Sequence, residues 1–200
     1  LANFWGGHVL PRFIHVGCGE KYQLDTTPEF KKPKWSETRF DIDESVNPDI
    51  IGTLTDMNLV ETSSVDAIYS AYNLDHIYAH EVPIALGEFY RVLKDDGLAV
   101  VKCPDLQRVC EAIVKDKLLD TLYDSPIGPI SAIDIMYGNR KEISEGNEYM
   151  EKKVGFTYSV LNGAFAEAGF KTRYGGRSQE GWELTIIAFK QKKSEEEIVN

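Results

Sequence analysis

The sequence predicts an α/β fold, a doubly wound, mostly parallel sheet of seven strands with an antiparallel last strand. Three observations lead to it: short apolar strand segments alternate with amphipathic helices, a glycine pair follows the first strand, and a short glycine-rich link joins the last two strands. Such a link allows an antiparallel pair but not a right-handed parallel crossover. The 200 residues, 42% of them hydrophobic, fit one large domain.

The first strand runs straight into the glycine pair. Phe13, Ile14 and Val16 favour a central β-strand, and the chain continues as Gly17-Cys18-Gly19. Glycines at such a turn let a ligand approach the backbone, because no side chain blocks it. This pattern predicts a cofactor site at the end of the first strand.

A second strand, predicted at residues 39–43, ends in the carboxylates of Asp41 and Asp43. In nucleotide-binding α/β folds an acid about twenty residues beyond the glycine turn accepts hydrogen bonds from ribose hydroxyls. Asp41 is the favoured ribose acceptor. The alternative is that both acids are merely a solvated strand end.

The rest of the chain supplies the remaining elements. After Gly19 the prolines leave at most a short turn. An amphipathic helix begins near Val82, and the pattern predicts that it ends at residues 94–97, where Gly97 stops it. Asp105 and Thr157 are predicted to cap two further helices. The other predicted strands lie at residues 50–54, 65–70, 98–103, 170–174 and 182–190.

We interpret residues 1–190 as one domain and residues 191–200 as a charged tail. Between about residues 118 and 150 the pattern loosens, with a short helix predicted at 130–136. We expect this inserted helical and loop segment to form a lid or a substrate-facing surface.

Composition narrows the function classes. The formal net charge of -10 argues against a nucleic-acid partner, which would require clustered Lys and Arg. The chain contains three cysteines without C-x-x-C spacing, which is typical of a reducing compartment and predicts a cytoplasmic protein. No apolar run approaches the length of a membrane span. We therefore expect a small-molecule partner, and the sequence leaves the oligomeric state open.

Four motifs in order resemble the class I S-adenosylmethionine-dependent methyltransferases, and in particular a small branch of predicted methyltransferases without an assigned substrate. The similarity runs from roughly Phe13 to Phe189. The motifs are His15-Val16-Gly17-Cys18-Gly19, Asp41-Ile42-Asp43, the stretch 66–76, and the stretch 88–97. The resemblance implies a Rossmann-like methyltransferase fold and S-adenosylmethionine as the cofactor.

The resemblance also implies roles for individual residues. Gly17, Cys18 and Gly19 would lie against the methionine part and the ribose, and Asp41 would accept the ribose hydroxyls. The remaining implied cofactor contacts are Thr53, Leu54 and Asp56 at the adenine and Asn73 at the methionine end.

Three positions depart from the family pattern. His15 stands where an acid is usual, Lys21 where a third glycine is common, and Thr53 where an acid often lies beside the adenine. A hydroxyl bonds the adenine amine less strongly than a carboxylate does, so we expect modest cofactor affinity.

Methyl transfer from a sulfonium is an in-line displacement, so positioning is the main protein contribution, and a base is needed only for a protic acceptor. His76 is the candidate general base; the alternative is a structural histidine that binds a loop. His76, His80 and Glu81 give H-x-x-x-H-E, but a third metal ligand is missing and we predict no metal.

The candidate substrate residues are Tyr72, Tyr137 and Arg140, which could equally pack the inserted segment on the core. The predicted function is methyl transfer to a small-molecule or saccharide-like acceptor. One alternative is a non-catalytic cofactor-binding module. A nicotinamide-dependent oxidoreductase is disfavoured by the absent third glycine and by the antiparallel last strand.

Overall fold

The computed structural model describes residues 10–179, 181–194 and 196. Its strands are β1 (Arg12–Val16), β2 (Ser36–Asp41), β3 (Ile50–Ile51), β4 (Val65–Ala71), β5 (Leu93–Pro104), β6 (Thr121–Ser125), β7 (Gly128–Ser131), β8 (Thr172–Arg177) and β9 (Glu183–Phe189). Its helices are α1 (Val82–Val92), α2 (Leu106–Ile113), α3 (Ala132–Tyr137), α4 (Arg140–Ser144) and α5 (Tyr158–Glu167). Short 3-10 turns lie at Gln23–Asp25, Glu44–Val46, Leu74–His76 and Glu148–Met150.

Seven strands form one sheet in the order β3-β2-β1-β4-β5-β9-β8. The pairs β3–β2, β2–β1, β1–β4 and β4–β5 are parallel, whereas β9 is antiparallel to both β5 and β8. Strand β9 is therefore the one strand of this sheet that runs against the others. The predicted fold class is confirmed, and the last pair is joined by the short link 178–182.

The prediction that Gly97 ends the first long helix is wrong. Helix α1 ends at Val92, because Leu93 is already extended (ψ 138°) and pairs with Val65 on β4. The Lys94 Nζ atom then binds Asp66 Oδ1 at 2.7 Å. Gly97 consequently lies within β5, where a pairing between distant residues has overridden the local stop signal.

Two strands also differ from their predicted bounds. Strand β2 begins at Ser36 and ends at Asp41, and Asp43 instead caps the turn Glu44–Val46 by accepting from the Ser45 N–H. Strand β3 contains only two residues, since Thr53 bridges to Asp56 in the following loop. The carboxylate of Asp41 therefore lies at the very end of its strand.

The inserted segment contains more regular structure than its sequence indicates. Strands β6 and β7 form an antiparallel hairpin that turns at Pro126 and Ile127, and α3 follows it directly. A small apolar cluster joins this hairpin to α2 and α3 through Val109, Ile130, Ala132 and Ile135. We call residues 118–150 the inserted lobe.

The two faces of the sheet are covered differently. On one face α1 and α5 bury a large cluster that includes Phe89 and Phe165. The other face is covered beside β1 by residues 20–35, where Phe30 stacks on Phe13 with ring centroids 4.6 Å apart. That segment contains a single 3-10 turn, as the prolines predict.

Within the described part of the chain, no helix has both the length and the apolar composition to cross a membrane. Half of the predicted tail, Glu195 and residues 197–200, lies outside the described residues.

Candidate cofactor and acceptor site

The glycine turn after β1 uses its amide groups inside the protein. Gly17 and Gly19 both have left-handed backbones, with φ of +62° and +52°. The N–H groups of Gly17 and Cys18 donate to the Phe40 carbonyl at 2.8 and 3.3 Å, and the Gly19 N–H donates to Asp41 Oδ2 at 2.7 Å. A ligand at this turn would therefore meet carbonyl oxygens and Cα atoms rather than free N–H groups.

Asn73 lies directly over Gly17. Its Nδ2 donates to the Val16 and Ala71 carbonyls at 2.9 and 3.0 Å, so its Oδ1 remains an acceptor. A Cβ at position 17 would lie 1.8 Å from that Oδ1. Glycine is required here by this close approach as well as by its φ, and the structure brings Gly17 and Asn73 together.

Asp41 is 9% exposed. One oxygen of its carboxylate bonds the glycine turn, and the other bonds the loop that follows β2. Oδ2 accepts from Gly19 N–H, and Oδ1 accepts from Asp43 N–H at 3.0 Å. Because an ionised carboxylate has about four acceptor positions, two remain for a ligand such as a diol.

A cavity of about 170 Å³ opens beyond Asp41, at the ends of β2 and β3. Its lining residues are Phe40, Ile51, Gly52, Thr53, Asp56, Asn58 and Leu59. Ile51 and Leu59 are 48% and 69% exposed, and such bare apolar side chains suit a flat aromatic ligand. Of the predicted adenine residues, Thr53 and Asp56 line this cavity, whereas Leu54 packs against the core. Sequence reasoning missed Ile51, the last residue of β3, and Leu59, in the following loop, because the exposure of an apolar side chain cannot be read from the sequence.

Cys18, between the two glycines of the turn, has a buried side chain. It is 1% exposed, and burial raises the pKa of its thiol to about 11. The thiol is therefore protonated at neutral pH, which suits a packing role rather than redox chemistry.

His76 is bonded to the loop that follows the inserted lobe. Its Nδ1 lies 2.8 Å from the Glu151 carbonyl, and since a carbonyl only accepts, Nδ1 carries the proton. Its Nε2 is 3.9 Å from Asp75 Oδ2, and Lys152 Nζ lies 2.6 Å from the same oxygen. His80 stacks on Tyr78 instead, and the described residues contain no group of three possible metal ligands.

A polar network begins at Tyr72, the residue before Asn73, and includes side chains of β5 and β9. Tyr72 has a left-handed backbone (φ +59°), which is unusual for a bulky residue, and its hydroxyl donates to Glu183 Oε2. Lys102 Nζ donates to Glu183 Oε1 at 2.9 Å. Burial and the bond to Glu183 raise the pKa of the Tyr72 phenol, so the phenol is a neutral donor.

Sequence reasoning named Tyr72 but missed Lys102 and Glu183. The available signal was a single lysine inside an otherwise apolar strand, Leu98-Ala99-Val100-Val101-Lys102-Cys103. Its partner is 81 residues away in sequence, so the pair could not be predicted.

The other two candidate substrate residues lie on the inserted lobe. Tyr137 ends α3 and is 61% exposed. The Arg140 guanidinium binds Asp134 Oδ1 at 2.8 Å and Ser131 Oγ at 3.2 Å. Among the contacts of residues 10–179, no hydrogen bond, ion pair or ring contact joins Tyr137 or Arg140 to Tyr72.

Known proteins resemble this chain in part of its sequence and in its fold. Residues 6–101 match a family model described as a methyltransferase domain. No curated protein matches the chain in sequence.

Solved structures share the fold at low sequence identity. A chain of the complex that contains the Haloferax volcanii Trm112 methyltransferase activator is 12% identical, with a TM-score of 0.58 over 92% of this chain and 84% of that one. Human N-acetylserotonin methyltransferase in complex with S-adenosylmethionine is 16% identical, with a TM-score of 0.54 over 91% and 48%. A TehB-like S-adenosylmethionine-dependent methyltransferase from Corynebacterium glutamicum is 15% identical, with a TM-score of 0.51 over 91% and 81%.

Proposed function

We propose that this chain, which belongs to the class I S-adenosylmethionine-dependent methyltransferases, methylates a small-molecule or saccharide-like acceptor. The observation that carries the proposal is the placement of three features along one sheet edge. The glycine turn, the Asp41 carboxylate and the 170 Å³ cavity follow one another at the ends of β1, β2 and β3. Open α/β sheets bind ligands at this edge.

The residues present suit S-adenosylmethionine. Asp41 has acceptor positions for the ribose hydroxyls, and Thr53 with Asp56 offers oxygen atoms beside the apolar walls for the adenine. Asn73 Oδ1 and the Gly17 carbonyl oxygen are acceptors for the ammonium of the methionine part. When bound, the cofactor supplies an electrophilic methyl group on a sulfonium.

The acceptor side offers two groups that could hold a proton. His76 with its proton on Nδ1 has Nε2 as a base, and Glu183 is a carboxylate bonded to the Tyr72 phenol. We propose His76 as the general base for an acceptor that carries a proton. Its bond to Glu151 equally supports a purely structural role, and an activity measurement on His76→Gln separates the two.

Exposed aromatic side chains near this edge favour a small, hydroxyl-bearing acceptor. Tyr72 and Tyr123 are 38% and 40% exposed, and burial raises the pKa of both phenols, so both are neutral. The Tyr72 hydroxyl donates its proton to Glu183, which leaves its oxygen as an acceptor for a substrate hydroxyl. We propose that the inserted lobe, with Tyr137 and Arg140, covers the bound acceptor.

We further propose a reducing, cytoplasmic setting. Cys18, Cys103 and Cys110 are all free, and the first two are buried.

The test is calorimetric titration with S-adenosylmethionine, S-adenosylhomocysteine and NAD. We expect both sulfur compounds to bind and NAD to give no signal. Asp41→Ala should weaken S-adenosylmethionine binding by at least about tenfold, because one or more charge-assisted hydrogen bonds are lost. Unchanged affinity in that variant would refute the ribose role of Asp41.

The second candidate function is a binding module without transferase activity. His15 and Thr53 favour it, since each replaces an acid of the family pattern. Cofactor binding together with no methyl transfer across a broad acceptor screen would support this alternative.

A further inference from the structure

We propose that Arg39 is a positioning residue for the cofactor, a buried guanidinium that holds the glycine turn where no helix does so. The inference rests on the proposed function, because it concerns the same cofactor site. It assigns to Arg39 a role that neither the motif pattern nor the cofactor contacts require.

The glycine turn lacks the usual support of a helix. A helix that began after Gly19 would bond its own carbonyls in successive turns. Here residues 20–35 form only the 3-10 turn Gln23–Asp25. The carbonyls of Gly19 and Lys21 therefore need hydrogen-bond donors from elsewhere in the protein.

Arg39 supplies those partners. Its Nη2 donates to the Gly19 carbonyl at 2.5 Å, and its Nε donates to the Lys21 carbonyl at 3.1 Å. On the opposite side of the fork, Nη1 and Nη2 donate to the Asn47 and Val46 carbonyls at 2.7 and 3.1 Å. One side chain thus ties the glycine turn to the loop after β2.

The hydrogen-bond partners of the Arg39 side chain are all of one chemical kind. Arg39 is 6% exposed, yet all four acceptors are backbone carbonyl oxygens rather than a carboxylate. A buried cation without an anionic partner is costly, so its retention depends on the hydrogen bonds it makes. The planar fork suits this task because its five donors have fixed directions, which an ammonium lacks.

The contacts of Arg39 act on the cofactor site through Gly19. Arg39 and Asp41 are two residues apart on β2, so their side chains share one face of the strand. Arg39 donates a hydrogen bond to the Gly19 carbonyl, and the Asp41 carboxylate accepts one from the Gly19 N–H at 2.7 Å. Hydrogen bonds therefore fix both the N–H and the carbonyl of Gly19. Its orientation determines which lone pairs of Asp41 remain for the ribose.

The test is calorimetric titration of S-adenosylmethionine into the wild type and into Arg39→Ala and Arg39→Lys, with thermal unfolding of each. We expect Arg39→Ala to raise the Kd about tenfold or more and Arg39→Lys to raise it less, because an ammonium bonds fewer of the four carbonyls. Added methylguanidinium at millimolar concentration should restore part of the affinity of Arg39→Ala, but not that of Asp41→Ala.

Arg108→Ala is the matched control. Its guanidinium also donates to three backbone carbonyls, those of Ser178, Gln179 and Gly181, in the link between β8 and β9. We expect this variant to bind S-adenosylmethionine as the wild type does. An equal loss in both variants would show a general effect on folding and would overturn the assignment.

The outcomes separate this inference from the function on which it rests. A wild type that binds neither sulfur compound overturns the proposed function and the role of Arg39 with it. Wild-type binding with unchanged affinity in both Arg39 variants overturns the positioning role alone. If Arg39→Ala does not fold, Arg39→Lys at an unchanged unfolding temperature decides the question, and wild-type affinity in it overturns the role.

Discussion

The two faces of the sheet are stabilised by different kinds of contact. On the helical face, α1 and α5 bury Phe89 and Phe165 at 0% exposure in a large apolar cluster. On the other face, Phe30 is also buried, at 1% exposure, but the segment that carries it has only one 3-10 turn and is held by polar bonds as well as by ring contacts. Arg39 bonds the glycine turn to this second segment, through the carbonyls of Gly19 and Lys21.

Glu37 and Gln23 provide those polar bonds. Glu37 Oε1 lies 2.7 Å from His15 Nδ1, and Oε2 accepts from the Gln23 N–H at 2.8 Å. The Gln23 amide then donates to the Phe30 carbonyl at 2.8 Å and to two further carbonyls of the segment. The comparison teaches that packed helices cover one face, whereas the other face is covered by a segment with little regular structure, so we expect the two regions to open separately.

The largest expected effect is the cost of truncating one aromatic on each face. Phe89→Ala should reduce the free energy of unfolding by about 3–5 kcal/mol, because a rigid helical core collapses little around the cavity. Phe30→Ala should cost about 3 kcal/mol or less, since its segment can rearrange. Urea denaturation measures both, and hydrogen exchange should show opening of residues 20–35 only in Phe30→Ala. Equal costs with global opening in both variants would contradict the division into two regions.

The next largest expected effect is a difference in stability between the alanine variants of the two glycines in the turn. Gly17→Ala should lower the free energy of unfolding by about 2–4 kcal/mol. Alanine is disfavoured in the left-handed backbone conformation, and its Cβ would also clash with Asn73. Gly19→Ala should cost only about 1 kcal/mol, since no heavy atom lies within 4 Å of its Cβ position. Thermal unfolding measures the difference, and equal losses would show that the approach of Asn73 is not rigid.

The smallest effect is a pH dependence on the helical face. Glu88 of α1 accepts from Arg91 and from the Met57 N–H, and the bond from Arg91 lowers its pKa despite partial burial. A lowered pKa in the folded state stabilises the protein above the unfolded value of about 4 and loses that effect as the pH falls further.

Glu88→Gln should therefore cost about 1 kcal/mol at neutral pH, and the difference from wild type should shrink below about pH 4. Urea midpoints over this range provide the measurement. A difference that is independent of pH would exclude the ionised carboxylate as the cause.

The sequence could predict the parts of this site whose chemistry is local. The order of a strand, a glycine turn and a second strand predicted that Gly17, Gly19 and Asp41 lie at neighbouring strand ends, as the structure shows, whereas their contacts with a cofactor stay predictions. The antiparallel last strand follows from the length of its link. Arg39 could not be found this way, because it bonds carbonyls up to 20 residues away, and a carbonyl leaves no mark in the sequence.

Errors in the element bounds have the same origin. The extended pairing of Leu93 with Val65 displaces the end of α1 from Gly97. The hairpin β6–β7 was missed because its strands bury few residues and show little alternation.

The burial of two of the three thiols has a practical consequence. Cys18 and Cys103 are inside, with thiol pKa values raised by burial, whereas Cys110 is exposed on α2 beside the inserted lobe. An alkylating dye should therefore attach at a single position of the native protein without any engineering. Fluorescence from that dye would follow the lobe directly while cofactor and candidate acceptors are added.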